Sequence, residues 1–229
     1  MHGPLAKSGN SPPPQLIYNP PPEDETKVHF ADQDIIVLSK PAGLLSVPGN
    51  RPELADCLES RVRKTHPSAT TVHRLDRATS GVCVMALNRL SHRNLGIQFE
   101  KRKTEKSYVA IVQGRVNGQT GEIKQGIRTD WYNRPKQMID NCLGRDAVTR
   151  WVVLERNGNS TRMELIPVTG RSHQLRVHMQ WLGHPIVGDE FYGPQEDLLS
   201  ERLMLHAQSL AFFHPRTNEW MRFKELSVF

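Results

Sequence analysis

The stretch Thr71-Val72-His73-Arg74-Leu75-Asp76-Arg77-Ala78-Thr79-Ser80-Gly81 sets one carboxylate between two arginines and closes on Thr-Ser-Gly, a turn signal. Nearby positive charge favours the ionised form of an acid. Asp76 therefore suits work as a nucleophile or a general base, although the local spacing fits a turn cap equally well. A second run, Thr169-Gly170-Arg171-Ser172-His173-Gln174-Leu175-Arg176-Val177-His178-Met179, puts Arg171 where a strand passes into a helix. Taken alone, such an arginine reads as a surface residue, and Tyr108 in Lys106-Ser107-Tyr108-Val109-Ala110 reads as strand packing. His173 and His178 are five apart and diverge by about 140° around a helix, so they cannot share a metal as a four-apart pair would.

Several elements must position these groups. The apolar run Val82–Leu87 after the Asp76 segment predicts a strand buried on both faces. Val28–Phe30 and Ile35–Leu38 predict a hairpin, and Asp56–Lys64 a helix with Leu58 and Val62 on one face. Residues 88–102 predict a second helix, with Leu90, Leu95 and Phe99 toward the core and His92, Arg93, Lys101, Arg102 and Lys103 outside. Short strands and Gly-rich turns follow to residue 146, and then a hairpin over 147–167 with an Asn-Gly turn. Ser172 is the expected N-cap of a third helix, which Gly183 and Pro185 stop. Leu203–Phe213 and Met221–Phe223 read as the last strands.

At 229 residues the chain has ample length for a core. Its net charge of +6 favours a polyanionic partner. Asp130-Trp131-Tyr132-Asn133-Arg134-Pro135-Lys136-Gln137 mixes aromatics with cations, which suits a grip on RNA backbone and stacked bases. No run approaches the roughly 18 apolar residues of a membrane span. Cys57, Cys83 and Cys142 are scattered and form no metal or disulfide pattern. The expectation is a cytoplasmic protein, monomeric, with a mobile or extended Pro-rich arm over residues 1–25 and one catalytic domain over 26–229.

His73-Arg74-Leu75-Asp76-Arg77-Ala78-Thr79-Ser80-Gly81 resembles the signature loop of the RluA-type pseudouridine synthases. So do Lys40-Pro41-Ala42-Gly43-Leu44-Leu45, Lys106-Ser107-Tyr108-Val109-Ala110, the Thr169–Met179 run and Gly188-Asp189-Glu190-Phe191-Tyr192-Gly193 with other motifs of that family, in the same order. The resemblance implies an α+β fold, a mixed and largely antiparallel sheet with flanking helices and a central RNA-binding cleft; many members carry an N-terminal S4-like domain, for which the segment over 1–25 is expected to be too short. It implies isomerisation of uridine to pseudouridine without cofactor or metal. It makes Asp76 the catalytic acid, Arg171 its partner, Tyr108 the base-stacking ring and Arg74 the side chain that fills the gap left by an extruded base. His73, Leu175, Arg134 and Lys136 are expected to contact substrate. The Asp130–Gln137 segment resembles the subgroup acting on a tRNA anticodon stem-loop and a 23S rRNA hairpin. Two rivals remain at this point: an inactive RNA-binding protein, and a glycosidase recruiting Asp189 or Glu190 as a second acid.

Overall fold

A computed structural model describes residues 18–194 and 200–229. The first hairpin forms as expected, β1 (Lys27–Ala31) against β2 (Ile35–Lys40). The predicted buried strand is β4 (Ser80–Ala86), every residue of which is buried. It lies between β2 and a late strand, with β3 (Thr70–Thr71) also paired to it. Beyond come β5 (Glu105–Gln113), β6 (Thr120–Lys124), and a separate ribbon of β7 (Ile127–Thr129) with β8 (Gln137–Ile139). The long hairpin β9 (Val148–Asn157) and β10 (Ser160–Pro167) turns at Gly158, and β11 (Leu205–Phe213) and β12 (Trp220–Lys224) end the chain.

The main sheet runs β1-β2-β4-β11-β5-β10-β9-β6, with β12 beside β11. Among the described residues only β4 and β11 pair in parallel; the other pairings are antiparallel. That contact needs a glycine: Gly81 has φ of +115°, and a Cβ there would stand 2.3 Å from the Ala207 carbonyl oxygen. Apolar side chains from both faces of β2 and β4 enter separate core clusters, which explains an uninterrupted apolar run rather than an alternating one.

Helix α1 (Leu58–Arg63) buries Leu58 and Val62 as the spacing predicts. Helix α2 (Arg89–Glu100) is capped by Asn88, whose side chain accepts the Ser91 N–H. Leu95 is fully buried and Phe99 packs beside it, but Leu90 is 80 % exposed, against expectation. Five residues separate Leu90 from Leu95, which turns it about 140° away from the buried stripe. Helix α3 spans Gln174–Trp181, and its N-cap is His173 in a left-handed conformation rather than Ser172. The Gln174 side chain dictates this start. It accepts hydrogen bonds from Thr169 Oγ1 and the Arg171 N–H and donates to the Val148 carbonyl, fastening the helix to β9.

Residues 1–17 of the expected arm lie outside the described residues. The rest of it makes contacts with the body of the fold. The Tyr18 hydroxyl donates to the Asp56 carbonyl and accepts the Leu45 N–H, while Arg61 donates to the carbonyls of Pro21 and Pro22. Among the described residues, no helix is long and apolar enough to cross a membrane.

Candidate active site

Asp76 sits in the loop between β3 and β4, its side chain 31 % exposed. The loop is pinned at several points. Leu75 donates its N–H to Ser46 Oγ, and that hydroxyl donates back to the Leu75 carbonyl. Lys40, at the end of β2, is buried and donates to the carbonyls of Pro41, Leu44 and Arg77. Those three acceptors use the full donor set of an ammonium. Burial pulls its pKa down to about 7, against the charge of Asp76. The Lys40-to-Leu45 motif thus holds the segment carrying Asp76 from beneath.

The flanking arginines are not the partners of Asp76. Arg77 pairs with Glu190 at 2.8 Å, and Arg74 is exposed at the cleft rim. Nor is Arg171, whose expected pairing the structure reassigns: its Nε donates to the Asp146 carbonyl, 3.0 Å away. The guanidinium beside Asp76 is that of Arg176, with Nη1 3.8 Å from Oδ2. The left-handed turn at His173 is the reason. It places residue 171 before the helix, and the first turn of α3 carries residue 176 inward.

Arg176 is 2 % exposed and makes a two-pronged pair with Asp189, at 2.8 Å from Nε and 2.6 Å from Nη2. Burial pulls its pKa down, but the hydrogen bonds and charge of Asp189, helped by Asp76, leave it raised. Asp189 is in turn fixed by the N–H groups of Phe191 and Tyr192. The Gly188–Gly193 motif therefore orients the arginine. Sequence reasoning missed Asp189 and Tyr192 in this role, although both stand in a motif it had singled out. Tyr192, its pKa raised by burial to about 12, shares its hydroxyl between the Gln137 N–H and His173 Nδ1. Burial lowers the pKa of His173.

A cleft of about 1140 Å³ opens over this assembly and is lined by Asp76, Tyr108, Arg74, Leu175, Arg171 and His73 among others. Burial, then the charge of Asp76, raises the pKa of Tyr108, so its hydroxyl stays protonated. Leu175 belongs to the apolar cluster against which Tyr108 packs. His73 borders the cleft, but its Nε2 accepts the Val84 N–H and its ring stacks on Phe99 at 4.4 Å. Its ring is occupied in holding the loop to β4. Arg134 and Lys136 lie apart, in the β7–β8 connection, where the Arg134 guanidinium covers the Trp131 ring at 3.4 Å. Lys136 borders a smaller hollow of about 500 Å³ with Trp181 and Tyr192.

The RNA pseudouridylate synthase sequence profile matches residues 34–181. The chain is 49 % identical over 216 residues to the dual-specificity RNA pseudouridine synthase RluA of Haemophilus influenzae, covering 93 % of this chain and 99 % of that one. With the protein of the same name from Escherichia coli O6:H1 it is 46 % identical over 209 residues, covering 90 % and 95 %. Among solved structures it resembles human RNA pseudouridylate synthase domain containing 1, with a TM-score of 0.76 and 29 % identity. That match covers 91 % of this chain and 86 % of the human one.

Proposed function

Because the chain belongs to the RNA pseudouridylate synthase family, we propose that its Asp76 drives the isomerisation of uridines in a tRNA anticodon stem-loop and a 23S rRNA hairpin. The observation carrying this reading is the Asp189–Arg176–Asp76 array at the floor of a cleft with room for an extruded nucleotide. The reaction breaks the N1–C1′ bond of uridine, turns the ring and forms C5–C1′. The C5 proton is lost and N1 gains one, so nothing is oxidised or hydrolysed. What it needs is a carboxylate at the ribose, attacking C1′ or removing a sugar proton. Arg176 faces that carboxylate beyond hydrogen-bond range and supports it by charge.

Reaching Asp76 requires extrusion of the base, which costs a few kcal/mol. Tyr108 offers a flat ring for the extruded uracil, and stacking of that kind contributes roughly 1–3 kcal/mol. Leu175 closes the apolar side of the pocket. Arg74, exposed at the rim, is placed to enter the stack the base leaves, where a guanidinium can stack and donate at once. Arg134 and Lys136 would grip the RNA away from the reacting base, and the name of both relatives, dual-specificity RNA pseudouridine synthase, fits action on two kinds of site.

Asp76→Asn is the deciding variant. It is expected to release no tritium from 5-tritiated uridine in either RNA, with affinity within about tenfold of wild type, since the charge serves chemistry more than binding. Turnover at the wild-type rate would end the assignment. Mapping pseudouridines in cells lacking the protein then tells whether one RNA class or both depend on it.

A further inference from the structure

Several cations in and beneath the cleft are engaged. Arg176 faces two carboxylates, Arg77 pairs with Glu190, Arg222 with Glu105, and Lys40 and Arg171 donate to backbone carbonyls. Lys106 differs. It lines the cleft and is half-buried, yet among the described residues its ammonium has no ion pair and no hydrogen bond. Its place is well defined: a Cβ at Gly170 would stand 3.7 Å from Nζ, and its charge acts on His73. The ammonium thus stands between the loop that carries Asp76 and the turn that leads into α3 and Arg176.

Withdrawing an ammonium from water without giving it an anion is unfavourable, and burial accordingly lowers the pKa of Lys106. That cost is relieved when an anion enters the cleft. In a cleft that takes an RNA strand, the anion at hand is a backbone phosphate, and Gly170 leaves the space beside Nζ open. We propose that Lys106 binds a backbone phosphate of the RNA beside the target uridine, an inference that rests on the RNA-modifying function given above. Lys106 then adds electrostatic grip close to the reacting centre.

The test uses Lys106→Gln and Lys106→Arg, each combined with Asp76→Asn to prevent turnover, titrated with an anticodon stem-loop RNA over a range of salt. The glutamine variant should lose about tenfold in affinity. Its dependence of log affinity on log salt should flatten by roughly 0.7–0.9, one phosphate's share, while arginine keeps the wild-type slope. Without Asp76→Asn, the loss in kcat/KM should fall mainly on KM. A second measurement needs no Lys106 variant: methylphosphonates placed singly around the target uridine should reveal one position that weakens binding to the unsubstituted protein. Lys106→Gln should be indifferent to that same position. An unchanged affinity and slope in Lys106→Gln, or unsubstituted protein indifferent to every methylphosphonate, overturns the proposal. Failure of the underlying function shows separately, as absence of tritium release by the unsubstituted enzyme.

Discussion

Arg176 faces two carboxylates at once, and this sets what its replacement should do. Its fork grips Asp189 while the remaining amino group points at Asp76. Lysine offers one compact charge and cannot serve both. Arg176→Lys is therefore expected to lower kcat by about 10² at saturating RNA, the usual scale for losing one placed electrostatic group. Arg171→Ala should chiefly weaken RNA affinity, because its side chain is directed to the Asp146 carbonyl. Single-turnover tritium release with both variants checks this, and a larger loss of rate in Arg171→Ala would return the role to residue 171. The family resemblance gives the place beside Asp76 to Arg171, but the same run holds a second arginine, Arg176. Choosing between them takes the left-handed turn at His173, and no local residue pattern announces a histidine with positive φ.

At the scale of elements, the strand after the site and the loop that carries it are joined through His73. Most elements were legible because their patterns are local: β4 from its apolar run, α2 from Asn88 and Leu95, the β9–β10 hairpin from its turn. The His73 contact was not, since its partners Val84 and Phe99 come from a strand and a helix further along the chain. Burial lowers its pKa from 6.5 to about 3, with the charge of Lys106 acting the same way. Between those values the unfolded chain binds the proton and the folded one does not. Stability therefore rises with pH through this window, is fully present above the ordinary histidine value, and is lost as acid forces the ring to charge. His73→Phe removes this contribution but leaves the Val84 N–H without its acceptor, which costs about 1–3 kcal/mol. Urea unfolding at about pH 5 and pH 7.5 should show a less stable variant whose stability changes less between the two. An equal pH dependence in both proteins would mean that the ring titrates normally.

Over the whole molecule, the site is assembled from distant parts of the chain: Asp76 before β4, Tyr108 on β5, Arg176 on α3 and Asp189 beyond it. The sheet order brings them together, so the fold must be nearly complete before Asp76 meets its arginine. The same dependence reaches the segment read from composition as part of a mobile or extended arm. Proline-rich sequence predicts that it buries little, but composition cannot show that Tyr18 finds two partners far along the chain. Its hydroxyl joins the Asp56 carbonyl ahead of α1 to the Leu45 N–H, and the next residue, Ser46, brackets Leu75 beside Asp76. Tyr18→Phe keeps the ring and deletes both bonds, leaving the Leu45 N–H unpaired at a part-buried position. The expected loss is about 1–3 kcal/mol of stability. Because Leu45 adjoins the serine that holds the catalytic loop, kcat should fall by more than KM changes. A calorimetric scan with kinetics on the same stem-loop RNA reads both effects. A variant that is less stable but turns over at the wild-type rate would make the docked segment a brace for α1 alone, whereas a slowed one makes it part of what keeps Asp76 in place.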